Sequence, residues 1–188
     1  MTTSNGGSLT SPSSRATSPT SPNPTSLWAD LGVFVVVGIA AAVIDLYVRA
    51  PLHMPGWRGL LTMGFFIAAR RFSARAWAAS TAAGVTALTS VALAGPPQFS
   101  TLAFLVPGLA IDLVYGLGSR FREKAAFAGF AAGLANMAKL AVTFLFAAAV
   151  TQRNETAGMI LPWVSHFAFG CAGGVLAALA VRWSEPKA

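Results

Sequence analysis

Among the few ionisable residues inside the long apolar stretches of this chain, Asp112, Lys139 and His166, with Asn136 beside the lysine, are the first candidates for chemistry. A charged group in hydrocarbon costs about 2.5 kcal/mol or more unless it faces a partner or a cavity. Asn136 and Lys139 are three residues apart, which places them on one face of a helix. The four residues therefore indicate a buried polar site that either neutralises itself or binds a polar solute.

The roles of these residues stay open at the level of sequence. Asp112 and Lys139 can meet across a helical bundle at similar depth and form a buried salt bridge that fixes their positions. One or both can also contact a polar solute, and His166 can hydrogen-bond within the bundle or reach that solute. Trp57 and Arg58 form an aromatic and cationic pair that suits a planar, partly polar ligand or the aromatic belt of a membrane interface.

The motifs of common enzymes are missing from the sequence. There is no GxSxG, HExxH or CxxC motif and no paired aspartates of a phosphotransferase. Ser165 neighbours His166, but adjacent residues on a helix point about 100° apart and do not face each other. Cys171 stands alone within an apolar stretch, as a small packing residue does. We therefore expect no enzymatic activity, no cofactor and no metal site.

Six apolar stretches must position these residues. Hydrophobic residues make up 55% of the chain and charged residues 10%, whereas a soluble domain carries about 25% charge. The stretches do not alternate in polarity, as the strands of a membrane β-barrel would. We therefore predict an all-α membrane protein with a six-transmembrane-helix bundle over residues 27–184. The predicted spans are 28–48, 57–69, 76–94, 100–118, 125–150 and 159–183.

The first 26 residues have a different composition from the rest of the chain. Residues 1–26 are rich in Ser, Thr and Pro and contain no apolar run. Such a segment buries too little apolar surface to fold, and it lacks the apolar core of a secretory signal peptide. We predict a disordered cytoplasmic tail.

The basic residues concentrate on one side of the predicted spans. Cytoplasmic loops carry an excess of Lys and Arg, so the net charge of +7 indicates orientation rather than nucleic-acid binding. We predict a multi-pass protein of the cell membrane with both termini in the cytoplasm. The Ala/Gly-rich composition, with Arg favoured over Lys, is typical of a bacterium with GC-rich DNA. The predicted inner residues are Arg15, Arg70, Arg71, Arg75, Arg120, Arg122, Lys124, Arg182 and Lys187, and the outer ones are Arg49, Arg58 and Arg153.

Small residues four apart recur in the apolar stretches. Gly38 and Ala42 form such a pair in the first stretch, and Gly170 and Gly174 form another in the last. These pairs let helix backbones approach closely. The pair in the first stretch can serve internal packing or the docking of a membrane partner.

The organisation of residues 28–183 resembles the S components of energy-coupling factor (ECF) vitamin transporters. The features that carry the resemblance are six spans in a short chain, a Pro/Gly-rich first outer loop and three segments. These segments are AASTAAGVTALTSVALAGPP in the third span, PGLAIDLVYGL in the fourth and HFAFGCAGGVLAAL in the sixth. The metal-specific branch of that family begins with Met-His, whereas this chain begins MTTSNGG, so the resemblance does not imply nickel or cobalt transport.

The resemblance implies a site and a set of partners. Such S components bind a vitamin or related small molecule from the outside, in a pocket formed by spans 4–6 and covered by the first loop. They dock through small residues of span 1 onto a membrane coupling protein that carries two ATPase subunits, and the chain itself has no GxxxxGK[ST] motif. By this analogy Gly38 and Ala42 dock the partner. The candidate substrate contacts are Asn136, Lys139, His166, Asp112 and Trp163, with Trp57 and Arg58 in the lid.

The sequence therefore predicts a membrane-embedded substrate-binding subunit for ATP-driven uptake of a vitamin-like micronutrient. Two alternatives belong to other classes. A non-transporting scaffold or accessory subunit would use Asp112 and Lys139 only to pair with each other. A stand-alone secondary carrier would be favoured by an inverted repeat with broken midplane helices, and no such repeat is visible in the sequence.

Overall fold

The computed structural model describes residues 24–48, 56–73, 75–95, 99–151 and 160–184. Most of the predicted N-terminal tail, residues 1–23, lies outside these ranges. Within them the chain is helical and contains no strand, which confirms the all-α prediction. The elements are α1 (Pro24–Tyr47), α2 (Trp57–Phe72), α3 (Ala78–Ala94), the short α4 (Phe99–Leu102), α5 (Leu105–Leu117), α6 (Ala125–Thr151) and α7 (Ile160–Ser184), with a 3-10 turn at Ser119–Phe121.

The fourth predicted span is divided into α4 and α5. The interruption falls at Ala103 and Phe104, directly before Pro107 in the first turn of α5. Proline has no backbone N–H, so it cannot donate to the carbonyl four residues earlier, which here belongs to Ala103. A continuous helix would leave that carbonyl unpaired, whereas a proline in the first turn of a new helix interrupts no hydrogen bond. The break leaves Phe104 between two helices.

Three of the helices are long and apolar enough to cross a membrane. Their apolar segments are Leu27–Tyr47, Ala125–Phe146 and Ile160–Ser184. The helices α3 and α5 are also apolar but shorter. Large hydrophobic side chains such as Val36, Leu88 and Leu113 are more than half exposed on the outer surface of the bundle. An apolar exterior of this kind is what a lipid-facing helix presents.

The core of the bundle is built mainly from alanine and glycine. Fully buried alanines line α3 and α6, and the larger buried side chains are Phe34, Met63 and Phe66. Helix α7 packs on both α2 and α6, while α3 packs on α1 and α5. At Gly173 of α7 an added Cβ would collide with the backbone of Leu60 in α2. Side chains this small bring helix backbones into direct contact.

Gly38 and Ala42 face the interior of the bundle. A Cβ on Gly38 would lie 2.6 Å from the Cβ of Val85 in α3, and Ala42 is fully buried. The hydroxyl of Thr86 donates a hydrogen bond of 3.1 Å to the carbonyl of Gly38. Within the described chain the pair therefore serves internal packing, the alternative to the predicted docking role. The face of α1 that stays exposed carries Val36 instead.

Candidate functional site

A cavity of about 610 Å³ opens at one end of the bundle. This cavity end contains the C-termini of α1 and α3 and the N-termini of α2 and α7. Its volume lies in the range of small-molecule sites, about 300–1,000 Å³. The lining residues are Asp45, Leu46, Gly56, Trp57, Arg58, Gly59, Ser90, Ala94, Gly95, Thr101, Phe104, Asn136, Lys139, Leu140, Thr143 and His166. Five of the residues predicted from the sequence come together here: Asn136, Lys139, His166, Trp57 and Arg58.

Lys139 of α6 reaches the wall of the cavity. Its Nζ lies 3.8 Å from the centroid of the Phe104 ring, in a cation–π contact made possible by the break before α5. Within the described chain its ammonium makes neither a hydrogen bond nor an ion pair. Asp45 on the opposite wall attracts it over a longer distance. Lys139 thus presents up to three hydrogen-bond donors to whatever occupies the cavity.

The expected Asp112–Lys139 pair is not formed. The Asp112 carboxylate accepts hydrogen bonds from the backbone N–H groups of Ala79 and Ser80, at 3.2 and 2.7 Å, and from the Ser80 hydroxyl at 2.6 Å. It also lies 3.5 Å from Nε of Arg70. Asp112 therefore caps the N-terminus of α3 from a neighbouring helix, a position that favours a negative charge.

Asp112 lies far from the cavity along the bundle. Ser80, which it caps, and Ser90, which lines the cavity, are ten residues apart on α3, or about 15 Å along the helix axis. Asp112 lies five residues before the end of α5, whereas Lys139 lies 14 residues after the start of α6, so the two side chains are not at the similar depth that we predicted. The site that the structure describes does not include Asp112.

Asn136 and His166 connect three helices beneath the cavity. The buried Asn136 carboxamide donates a hydrogen bond of 2.8 Å from Nδ2 to the backbone carbonyl of His166. Gly59 of α2 lies against that carboxamide so closely that no Cβ would fit. Gly56 adopts a left-handed conformation with φ of 86° at the start of α2, where a Cβ would meet the His166 ring. Both glycines are required for α2 to approach α6 and α7.

The imidazole of His166 is fixed in one tautomer. Its Nδ1 lies 2.8 Å from the carbonyl oxygen of Pro162, and since a carbonyl only accepts, Nδ1 must carry the proton. In the neutral ring, Nε2 is then an acceptor. The neighbouring Ser165 hydroxyl donates to the same carbonyl at 3.0 Å, so Ser165 and His166 do not form a nucleophile–base pair.

Ser90 is a polar residue of the cavity that the sequence argument did not select. Its side chain is 4% exposed, and its hydroxyl has no hydrogen-bond partner among the described residues. A buried polar group left unpaired costs about 1–3 kcal/mol. Thr86 and Ser90 are four residues apart on α3 and so lie on one face of the helix. This spacing is the feature of the sequence that could have indicated Ser90 as a site residue.

The remaining predicted residues divide between the cavity wall and a position outside it. The Arg58 guanidinium carbon lies 5.8 Å from the centroid of the Trp57 ring, and both residues line the cavity opening. Trp163 instead stacks on Phe144 at 6.4 Å and does not line the cavity. Within the described ranges no group of three or more His, Cys, Asp or Glu side chains could hold a metal ion.

Comparisons with known proteins give no match to this chain. No family model matches it, and no match is found among curated proteins or among solved structures. The resemblance to ECF S components therefore stays an inference from the sequence pattern, and the geometry of the cavity has to be interpreted from its own residues.

Proposed function

We propose that the protein is a membrane subunit that binds a small polar solute from outside the cell and serves its ATP-driven uptake. The observation that carries the proposal is the cavity of about 610 Å³, into which Lys139 presents a charge that no described residue hydrogen-bonds. Within the described ranges neither the Lys139 ammonium nor the Ser90 hydroxyl has a hydrogen-bond partner, and polar groups left unpaired in an apolar bundle cost free energy. A bound solute that accepts hydrogen bonds from both would remove this cost.

The lining residues favour a solute of defined chemistry. Lys139, Arg58 and Ser90 offer donors, which suit a carboxylate, a phosphate or a ring carbonyl. Nε2 of His166 and the carboxylate of Asp45 offer acceptors for a solute N–H or O–H. The rings of Trp57 and Phe104 supply flat apolar surface. A planar heterocycle with both donors and acceptors, as in many vitamins, satisfies these requirements together.

The proposed topology has six spans with both termini in the cytoplasm. Three helices meet the length and hydropathy of a span by themselves; α2, α3 and the pair α4–α5 would complete the bundle. The cavity end is placed outside because the opposite end carries Arg70, Arg71 and Arg122, and cytoplasmic ends are the basic ones. We place this protein in the cell membrane of a bacterium.

The energy source and partners follow from the resemblance to S components. By that analogy a membrane coupling protein and two ATPase subunits would assemble on this chain, with no ATPase in the chain itself. The rival scaffold function predicts that Asp112 and Lys139 pair only with each other, whereas Asp112 lies beside Arg70 and Lys139 beside the cavity. An inverted repeat with broken midplane helices would favour a stand-alone carrier, and the described chain has one interrupted span, at α4–α5.

A thermal-shift screen of the detergent-purified protein against vitamins and their precursors tests the proposal. A solute at 100 times its Kd stabilises a protein by about 2.7 kcal/mol. We expect one solute to raise the melting temperature, and Lys139→Met to abolish that shift. Lys124→Met is the matched control, because Lys124 also lies over a phenylalanine ring, at 5.1 Å from Phe121, but outside the cavity.

Two results would contradict the proposal. The first is the absence of a shift with every solute of the panel. The second is equal loss of the shift in Lys139→Met and Lys124→Met, which would assign the effect to general charge. Transport itself is tested by uptake of the labelled solute in cells that lack their own system, with and without the candidate ATPase partners.

A further inference from the structure

A second cavity, of about 250 Å³, lies at the end of the bundle opposite the first. We call it the arginine cavity. It is formed where α2 ends, where α5 passes into the loop before α6, and where α7 ends. Its lining residues are Arg70, Arg71, Ser73, Tyr115, Arg122, Glu123 and Val181.

Arg70 is buried in this cavity and only partly neutralised. Its side chain is 4% exposed, and its Nε lies 3.5 Å from Asp112 without completing a hydrogen bond. Three hydrogen bonds from α3 already occupy the Asp112 carboxylate. The guanidinium otherwise donates to the carbonyl of Ser73 at 3.0 Å and lies over the Tyr115 ring at 5.4 Å. The guanidinium of Arg70 is therefore held in a fixed position, and Asp112 neutralises its charge only in part.

Two further arginines are held in place by backbone carbonyls. Arg71 donates from Nη2 to the carbonyl of Arg122 at 2.9 Å, and Arg122 donates from Nε to the carbonyl of Tyr115 at 2.9 Å. A carbonyl orients a guanidinium without cancelling its charge. Nε of Arg71 has no hydrogen-bond partner in the described chain. The Tyr115 hydroxyl, buried near Arg71, also completes no hydrogen bond of good geometry there.

We propose that the arginine cavity binds a phosphate group. The cavity is lined by three guanidiniums and by one carboxylate, that of Glu123. The nearby Asp112 carboxylate already accepts hydrogen bonds from α3. Among the described residues, Nε of Arg71 and the Tyr115 hydroxyl have no hydrogen-bond partner, and together with the guanidinium of Arg70 they form a set of donors suited to an oxyanion with several oxygens. Planar guanidiniums bind phosphate through paired hydrogen bonds. Exposed lysines would be enough to orient the protein in the membrane, so a phosphate site accounts for the presence of three arginines at this cavity.

The phosphate group could belong to a phospholipid headgroup or to a soluble phosphate, and the chemistry is the same for both. The test uses delipidated, detergent-purified protein and two probes: inorganic phosphate, and phosphatidylglycerol added to the micelles. Phosphatidylcholine, whose phosphate is paired with its own cation, is the lipid control. Binding is followed by thermal shift and by native mass spectrometry of the protein–lipid complex.

We expect saturable binding of phosphatidylglycerol or of phosphate, weakened about tenfold or more in Arg71→Gln, the effect of losing one charge-assisted hydrogen bond. Arg71→Lys keeps the charge but not the planar fork, and should restore only part of the affinity. Arg120→Gln is the matched control, since Arg120 is exposed in the 3-10 turn Ser119–Phe121 at the same end of the bundle and does not line the cavity. An unchanged circular-dichroism spectrum and an unchanged melting temperature without added probe would show that Arg71→Gln is folded.

The two probes distinguish a lipid headgroup from a soluble phosphate. Binding of the lipid alone supports a headgroup site, and binding of inorganic phosphate supports a site for soluble phosphates. Failure of both probes to bind overturns the proposal. So does equal weakening in Arg71→Gln and Arg120→Gln, because general basic charge would then account for the binding.

Discussion

Buried charged residues in this protein differ in how completely their hydrogen-bonding capacity is filled. Asp112 accepts three hydrogen bonds and faces Arg70, so it belongs to the architecture. Lys139 lies over an aromatic ring beside a cavity, so its donors remain available. The residue type and the position within a predicted span do not tell a structural charge such as Asp112 from an available one such as Lys139. The distinction comes from which helix terminus or cavity each side chain reaches.

Replacement of Asp112 by alanine should destabilise the protein strongly. It removes the cap of α3 and leaves Arg70 buried without its carboxylate, and breaking a buried pair costs about 3–5 kcal/mol. The matched control is Asp30→Ala, since Asp30 pairs with Arg75 at 2.6 Å with both side chains 24% exposed. Such a pair is worth about 0–1 kcal/mol. Unfolding of both variants in detergent, followed by circular dichroism, measures the difference, and equal losses would contradict the assigned role.

At the scale of elements, the helices approach each other through glycine at the points where the cavity is formed. Gly59 gives α2 access to Asn136, and Gly173 gives α7 access to Leu60. Because α2 starts at the cavity and ends at the arginine cavity, its contact with α6 and α7 influences both sites. The N-terminal turn of α2 carries Trp57 and Arg58, so its position sets the shape of the cavity opening.

Replacement of Gly59 by alanine should weaken solute binding and lower stability. The added methyl group would displace the Asn136 carboxamide from the carbonyl of His166, and overpacking of this kind costs about 1–3 kcal/mol. Gly84→Ala is the control, since a Cβ there would meet Leu105 at an ordinary 3.9 Å. We expect Gly84→Ala to retain solute affinity and thermal stability. A Gly59→Ala protein with unchanged affinity would show that the carboxamide is not a fixed part of the site.

At the scale of the whole molecule, the two cavities lie at opposite ends of one bundle. The proposed topology places them on opposite sides of the membrane. In a background with Cys171→Ala, a cysteine at the exposed Ala94 should react with a membrane-impermeant maleimide in intact cells. A cysteine at the exposed Ser119 should react only after the membrane is opened. Labelling of both positions from outside would overturn the proposed orientation.

The sequence predicts the helices better than it predicts their contacts. Runs of apolar residues identified the helical segments, because a helix satisfies its own backbone and needs only local information. The division of the fourth span was missed, although Pro107 marks it. The places of Asp112 and Ser90 were missed because they depend on how α3 packs against its neighbours. Lys139, Asn136 and His166 were found because polar groups in apolar helices are visible without knowledge of packing.

The hydrogen bond between His166 and the Pro162 carbonyl has a consequence for selectivity. A neutral ring held with its proton on Nδ1 leaves a lone pair on Nε2, and while it stays neutral it can offer a proton there only by losing that bond. The proposed site would therefore distinguish two heterocycles of the same shape that differ only in the position of one hydrogen atom. The one with an N–H or O–H at that point would fit, and its tautomeric or methylated counterpart would be rejected.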